Sequence, residues 1–365
     1  MDEIEERGFS LFAAREEEPD KESEVFYNRD MVANRDLSVT AAKVFLDETE
    51  IDEPRIADAL AASGIRGFRY TELGNVIIND TNPEAVESIR RGLGENGIEA
   101  EVTEKDANVL LSEHGNYFNI IDVDPFGPFT NYLDSAARAA NYQSLAGLTA
   151  TDNAAPAGSY PKVCERRYGS TPLKNSFMHE TGLRIYIKEA FRNFARFDKD
   201  FDPKLCWHEQ HYSRVTGRVT ESKRRANKNT ENIGHLSFCP ECRWRALERK
   251  AECPGCGSET RIAGPLWTGK IADRRFTGKM LDEMPENWSR AREILELVHS
   301  EAEILTPFYD LHELCSLLEI QVPKRDRVID AIDEKGYPVS RTHFSPTGFR
   351  TDAPIEDIKD IVCEL

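Results

Sequence analysis

Apolar and polar positions along the first 150 residues change period repeatedly, and each change marks a predicted element. Residues 36–48 (DLSVTAAKVFLDE) carry apolar side chains at helical spacing, with Asp36 placed as an N-cap. Strands are predicted over 55–61 (RIADALA), 75–82 (NVIINDTN), 98–107 (IEAEVTEKDA), 116–127 (NYFNIIDVDPFG) and 145–152 (LAGLTATD). The first runs into a glycine turn at Ser63-Gly64-Ile65-Arg66-Gly67, and the second into a helix from Pro83 to about Leu93. Strands separated by helical segments imply a mainly parallel sheet with helices on both faces. The charged first 25 residues have room for one short strand, GFSLFAA.

The pattern changes further along. Residues 227–265 are polar, Cys-rich and short of periodicity, as in a small insert or linker module. From about 268 onward, helical patterns dominate at 289–303, 308–319 and 323–335, and the tail VSRTHFSPTGFRTDAP suits one or two strands around a Pro-Thr-Gly turn. Helices followed by such a hairpin would make a winged-helix-type nucleic-acid module, or a small α+β domain that only packs on the first. The expected fold class is α/β: a Rossmann-like domain over 1–226, a four-Cys zinc-ribbon-like module or linker over 227–267, and a C-terminal α+β domain over 268–365.

Charge complicates a nucleic-acid reading. The 365 residues hold 47 Lys+Arg against 65 Asp+Glu, a net charge of −18, whereas phosphate contacts need cations. An acidic surface with Arg outnumbering Lys about two to one also fits work at high salt, where like-charge repulsion is screened. Three basic clusters stand against the acidic background: Arg166, Arg167 and Lys174; Arg214, Arg218, Lys223, Arg224, Arg225 and Lys228; and Lys270, Arg274, Arg275 and Lys279. Each alone reads as solvated charge; together they read as an RNA-facing stripe. No run of about 18 apolar residues exists and the N-terminus lacks a signal-like apolar stretch, so a cytoplasmic protein without membrane contact is expected.

Three motifs carry chemistry. The first is the glycine turn after Asp58 together with Asp80 at the end of the next strand. Turn plus acid suits a nucleoside cofactor, the acid binding both ribose hydroxyls. NAD and S-adenosylmethionine both remain open, with the missing G-x-G-x-x-G weighing against NAD. The second motif is Asp122-Val-Asp124-Pro125-Phe126-Gly127. An exocyclic base amine is a poor nucleophile because its lone pair is delocalised into the ring. The Asp124 carboxylate and the Pro125 carbonyl can accept its N–H bonds, aiming the lone pair at a sulfonium methyl, and Asp124 can take the proton. Phe126 would stack on the flipped base. A buried Asp capping a helix beside a rigid Pro turn is the plainer alternative. The third motif pairs Cys239-Pro-Glu-Cys242 with Cys253-Pro-Gly-Cys256, four thiolates at spacings that can enclose one structural Zn²⁺. Cys164, Cys206, Cys315 and Cys363 lack partner spacing and read as ordinary thiols. His208 and His211 read as solvent- or RNA-facing, and His179-Glu180 as a helix cap or a domain-junction contact.

With these motifs in place, the chain closely resembles the tRNA (guanine-26-N2) dimethyltransferase family over nearly its whole length. The resemblance is carried by Phe26-Tyr-Asn-Arg-Asp-Met31 with Asn34-Arg35-Asp36, the Ser63–Gly67 turn, Asp80, Asp106-Ala107, Asp122–Gly127, Thr149-Ala-Thr-Asp152, His179-Glu180 with Gly182-Leu-Arg-Ile185, and Arg341–Gly348. It implies S-adenosylmethionine contacts at Arg35, Arg66, Asp80, Asp106 and Ala107, an acid-base role for Asp124, and a guanine held between Phe26 and Phe126. It further implies a tRNA substrate with no obligate protein partner, and transfer of one or two methyl groups to guanine N2. The family's turn usually continues Gly-Ser-Pro, whereas Pro128-Phe129 follows Gly127 here, which bears on the shape of the base pocket. The four-Cys module occurs in only part of the family. An amino-methyltransferase for another base and a non-catalytic zinc-ribbon RNA-binding protein are the rival readings.

Overall fold

The computed structural model describes residues 1–13 and 25–365. An antiparallel hairpin of β1 (Asp2–Glu6) and β2 (Phe9–Ala13) opens the chain. The strand expected over 8–14 is its second arm, and residues 14–24 lie outside the described set. Helix α1 (Val32–Thr49) begins earlier than its apolar periodicity suggested. Asp36 is therefore no N-cap. It sits inside the helix, buried, with its carboxylate held by Arg7 at 2.6 Å and Arg69 at 2.7 Å.

The expected alternation follows: β3 (Arg55–Asp58), α2 (Ile65–Tyr70), β4 (Asn75–Asp80), α3 (Pro83–Asn96), β5 (Glu101–Glu104), α4 (Ala107–Glu113), β6 (Phe118–Val123), α5 (Leu133–Ala139) and β7 (Ala140–Ala150). Helix α3 shows why the local signals work. Asn82 caps it by accepting from the Glu84 amide at 3.0 Å, Pro83 fills the first turn, and Gly97 ends it with φ +62°.

After α6 (Pro161–Tyr168) and α7 (Met178–Ala195) come two strands the apolar pattern did not signal, β8 (Lys199–Glu209) and β9 (Tyr212–Glu221). The seven-stranded sheet runs β5-β4-β3-β6-β7-β9-β8, parallel through β7 and antiparallel beyond. Sequence order reverses direction between β3 and β6, and ligands of such sheets bind at the carboxyl ends of the strands flanking that point. Successive residues of one strand feed opposite cores. Ile56, Ile78 and Ile120 pack against α1 and α3, while Ala57, Ile77 and Ile121 pack against α4, α5 and α7.

The Cys-rich segment is more than a linker. After α8 (Lys223–Asn229), β10 (Ile233–Phe238), β11 (Arg245–Ala246) and β12 (Arg261–Trp267) form a three-stranded sheet. Leu236, Phe238, Ala263, Leu266 and Trp267 join the core beneath α7. Packing also crosses position 268. Helices α9 (Arg274–Glu283) and α10 (Ser289–Glu301) lie on α1, and Phe276, Met280, Ile294 and Leu295 share its core. The remaining unit consists of β13 (Tyr309–Asp310), α11 (Leu311–Leu318), α12 (Arg325–Glu334), β14 (Val339–Arg341), β15 (Gly348–Thr351) and α13 (Ile355–Glu364). Its strand order β13-β15-β14 behind two helices, with β14 and β15 as the hairpin, is a winged-helix arrangement with an added terminal helix.

Candidate active site and metal centre

A cavity of about 380 Å³ opens at the carboxyl ends of β3, β4 and β6, within the range of small-molecule cofactor sites, about 300–1,000 Å³. Its walls include Phe26, Arg35, Arg66, Asp80, Asp124, Pro125 and Phe126, which stand far apart in the sequence. Gly64 turns the chain out of β3 with φ +78°, and a Cβ there would lie 2.8 Å from Ile89. Only glycine lets α3 approach that closely.

Asp80 ends β4 with both oxygens partly occupied. Oδ2 accepts from the Ala62 amide at 2.7 Å and Oδ1 from the Asn82 amide at 2.9 Å. These bonds fix the carboxylate and leave a lone pair on each oxygen. Asp58 lies deeper and is fully buried, and its Oδ2 has no hydrogen-bond partner. Burial pushes its carboxyl up to about 7 against the pull of Arg66, and Asp122 and Asp124 add to the rise. A buried acid with one unpartnered oxygen, on a cavity that also presents Asp80, suits a cationic ligand bearing a ribose.

Arg66 spans two carboxylates, donating to Asp122 at 2.5 Å through Nη1 and to Asp124 through Nη2. Asp122 also accepts from Arg214 at 2.5 and 3.1 Å and from the Tyr70 hydroxyl at 2.9 Å. Burial alone would raise the Asp122 carboxyl, but Arg214 and Arg66 outweigh it and hold the group below its ordinary range. Arg35 is similarly engaged: Nε donates to Glu6 at 2.9 Å, and Nη2 donates to Glu6 at 2.5 Å and to the Asn28 carbonyl at 3.1 Å. Both guanidiniums, expected to contact the cofactor, are thus engaged by acids of the chain itself. A carboxylate arriving in the cavity would share cations that Glu6, Asp122 and Asp124 already neutralise.

The Asp-Pro-Phe-Gly turn is pinned from β7. Thr151 Oγ1 accepts from the Gly127 amide at 2.7 Å, and the Thr151 amide donates to the Gly127 carbonyl at 3.0 Å. Phe126 is 54% exposed and meets Phe26 edge-to-face, centroids 4.6 Å apart. A ring sandwiched between them would need roughly 7 Å, twice the contact distance of stacked carbons. The two aromatics do come together, and entry of a base between them requires Phe126 to swing outward. Asp106 and Ala107 stand off the cavity wall. Asp106 caps α4 through the Asn108 and Val109 amides, and Ala107 is buried. Asp106 is linked to the site by Tyr132, a wall residue whose hydroxyl is raised by burial and then by the Asp106 and Asp80 carboxylates.

Several contributors escaped sequence reasoning. Glu6 reaches Arg35 from a segment that looked merely charged, and Arg214 and Tyr70 carried no local signal. Asp122 was legible in principle, because residues two apart in a strand point to the same face. His208, expected to face solvent or RNA, is instead buried and stacked on His179 at 4.1 Å. Removal from water, then the neighbouring imidazoles, lower its pKa to about 3. Glu180 serves the domain junction, bonding Arg184 and Arg350 within a fully buried network that includes Glu301.

The four cysteines of the insert gather their sulfurs within 4.8 Å of one another, with Cys239–Cys256 and Cys242–Cys253 each at 3.5 Å. A tetrahedral Zn²⁺ with bonds of about 2.3 Å needs sulfurs about 3.8 Å apart, so the set fits that ion. Amides of Glu241 and Cys242 aim at the Cys239 sulfur, that of Trp244 at Cys242 and that of Ser258 at Cys256. These fixed donors compensate thiolate charge. Cys164, Cys206 and Cys315 are buried free thiols, and Cys363 is exposed.

Comparison with known proteins agrees with this geometry. Residues 12–363 match the family model described as N2,N2-dimethylguanosine tRNA methyltransferase. The chain is 40% identical over 354 residues to a Methanothermobacter thermautotrophicus protein named tRNA (guanine(26)-N(2))-dimethyltransferase, covering 93% of each. A Methanosarcina acetivorans protein of the same name is 38% identical, covering 95% of this chain and 93% of its own. Among solved structures, Trm1 from Pyrococcus horikoshii in complex with S-adenosyl-L-methionine superposes with a TM-score of 0.87 at 30% identity, covering 99% of this chain and all of the other.

Proposed function

The chain belongs to the N2,N2-dimethylguanosine tRNA methyltransferase family, and from that premise we propose that it methylates the N2 amine of guanine-26 in tRNA, using S-adenosylmethionine. The observation that carries this reading is the cavity itself, where Asp124 stands on one wall with Asp80, Asp58 and the Phe26–Phe126 pair. Bound there, S-adenosylmethionine supplies an electrophilic methyl on a positively charged sulfur.

The chain's own groups do the rest. Asp80 presents two oriented lone pairs to a ribose diol. Asp58 offers a carboxylate that a neighbouring cation would keep ionised. Arg66 donates to one oxygen of Asp124, which leaves the other to accept an N2–H bond and then the proton. The Pro125 carbonyl lies next along the same turn as second acceptor, and Phe126 with Phe26 covers the ring faces once parted. Arg35 borders the cofactor end, and Asp106 and Ala107, set back from the wall, would reach S-adenosylmethionine there. Zinc held by Cys239, Cys242, Cys253 and Cys256 is structural, since four sulfurs leave no open coordination position. The segment 1–226 would supply the methyltransferase fold, 227–267 the zinc module and 268–365 tRNA contacts.

The test is transfer of tritiated methyl to unmodified tRNA carrying guanine at position 26, against the same tRNA with that base replaced. Incorporation is expected only in the first, and Asp124→Ala should keep cofactor binding while losing incorporation. Equal labelling of both tRNAs would redirect the reading to another base, and full activity of the Asp124 variant would remove its role.

A further inference from the structure

The three basic clusters of the sequence do not share one surface. In the second, Arg214 is buried on Asp122, Arg218 pairs with Glu48 at 3.4 Å, Lys223 with Asp198 at 3.2 Å, and Arg225 with Asp200 and Asp202 at 3.2 and 3.4 Å. Arg224 and Lys228 remain, on α8. That helix follows the end of β9, where Thr220 lies opposite Gln143 near the start of β7, so it sits at the amino ends of the parallel strands. In the third cluster, Lys270 pairs with Glu303 and Lys279 with Glu48 at 2.9 Å. The remaining Arg274 and Arg275 line a groove of about 940 Å³ that also carries Asp202, Asp273, Asp282 and Glu303. Its residues Asp202, Pro203 and Asn229 put that groove beside α8, away from the cavity.

The first cluster differs. It rises directly from the carboxyl end of β7, after the Thr151 that clamps Gly127. Arg167 and the Tyr168 hydroxyl tie α6 to Asp152, the next residue, at 2.9 and 2.5 Å. Lys162, Arg166 and Lys174 are exposed and make no ion pair among the described residues. Residues 159–174 hold four cations and one carboxylate, Glu165, in a chain of net charge −18. Gly158 (φ +90°) brings Lys174 against the start of the same loop, its Cβ position lying 2.9 Å from the Lys174 amide. Tyr160 opens α6 with 61% of its surface exposed and, like Phe126, stands beyond the carboxyl ends of the sheet. Exposed aromatics interleaved with unpaired cations are the chemistry that stacks bases and neutralises phosphates.

We propose that Tyr160, Lys162, Arg166 and Lys174 form an RNA docking patch that grips the tRNA backbone beside the cavity while the target base enters it. The proposal rests on the tRNA reading above and narrows it to one face of the molecule. The test compares the intact protein with a Lys162→Ala/Arg166→Ala/Lys174→Ala triple variant, Tyr160→Ala, and two distal pairs, Arg224→Ala/Lys228→Ala and Arg274→Ala/Arg275→Ala. The triple variant should raise KM for tRNA by about ten-fold or more, leave kcat and S-adenosylmethionine affinity unchanged, and make the dependence of log Kd on log salt shallower by about 2 to 3, one phosphate per cation removed. Tyr160→Ala should weaken binding without altering that slope, and the distal pairs should change neither. Wild-type KM and slope in the triple variant would overturn the patch, as would a larger loss from either distal pair. Binding and its salt slope remain measurable even if the wild-type protein methylates no tRNA, so failure of the function reading is distinguishable from failure of the patch.

Discussion

Gly147→Ala adds one methyl group to β7 and should disable the charge network beneath the active site. Gly147 pairs with Asp122 in the neighbouring strand, and the Arg214 side chain lies across it. A Cβ at Gly147 would stand 2.1 Å from Arg214 Nη2 and 3.3 Å from Asp122 Oδ2. The guanidinium cannot simply swing aside, because it is 1% exposed and bonded to Asp122 and Thr149. Losing a partner from a buried ion pair costs about 3–5 kcal/mol, since a charge is left uncompensated. Against this, Gly→Ala at a permissive backbone position gains about 0.4–1 kcal/mol by restricting the unfolded chain. The ion-pair term wins, and a net loss of about 2–5 kcal/mol is expected. With Arg214 displaced, Asp122 retains only Arg66 and Tyr70. Arg66 should then shift toward Asp122 and release Asp124, so kcat should fall with stability.

The sign of the pH dependence is fixed by Asp122. Its pKa is depressed in the fold, so the stability it contributes is present above the ordinary carboxylate value of about 4 and disappears as pH falls through the folded value. The gap between wild type and variant should therefore be widest near neutrality and close in acid. Denaturant titration at several pH values, with methyl-transfer kinetics alongside, measures both effects. A stability change within about 0.5 kcal/mol at neutral pH, the range of an innocuous surface substitution, would refute the argument.

Three other outcomes follow from the same geometry. Thr151→Val removes the acceptor of the Gly127 amide, a loss of about 1–3 kcal/mol if the amide stays unsatisfied; kcat should fall roughly ten-fold with little change in S-adenosylmethionine affinity, and Thr151→Ser should restore it. Asp58, raised to about 7 in the fold, stabilises the ligand-free protein fully only below about pH 4 and loses that contribution as pH climbs through 7. A cationic ligand beside it favours the ionised form, so calorimetric affinity for S-adenosylmethionine should climb between about pH 5.5 and 8, and Asp58→Asn should flatten the rise. Cys239→Ser should release zinc, measurable by metal analysis. Because Arg245 of the same module stacks between Phe177 and Tyr309 and bonds the Phe308 carbonyl at 2.5 Å, proteolysis should then accelerate around residues 308–309.

Features whose cause is local were legible along the chain. The alternation of strands and helices, the capped α3, the turn at Gly64 and the paired Cys-x-x-Cys knuckles each follow from backbone preference or short spacing. Asp80 and Asp124 were legible too, as acids ending apolar strands. Strands β8 and β9 were not, because their buried polar residues, among them Lys199, Asp200, Ser213, Arg214 and Thr216, mask the apolar pattern. Lys199, Asp200, Ser213 and Arg214 find partners distant in the chain, and such partnership leaves no mark on periodicity. Long-range pairing likewise places Glu6 on Arg35, Arg214 on Asp122 and Arg66 between two acids. Which basic cluster keeps its charge was also settled in three dimensions, since an ion pair depends on the distance between side chains and a sequence records only their order.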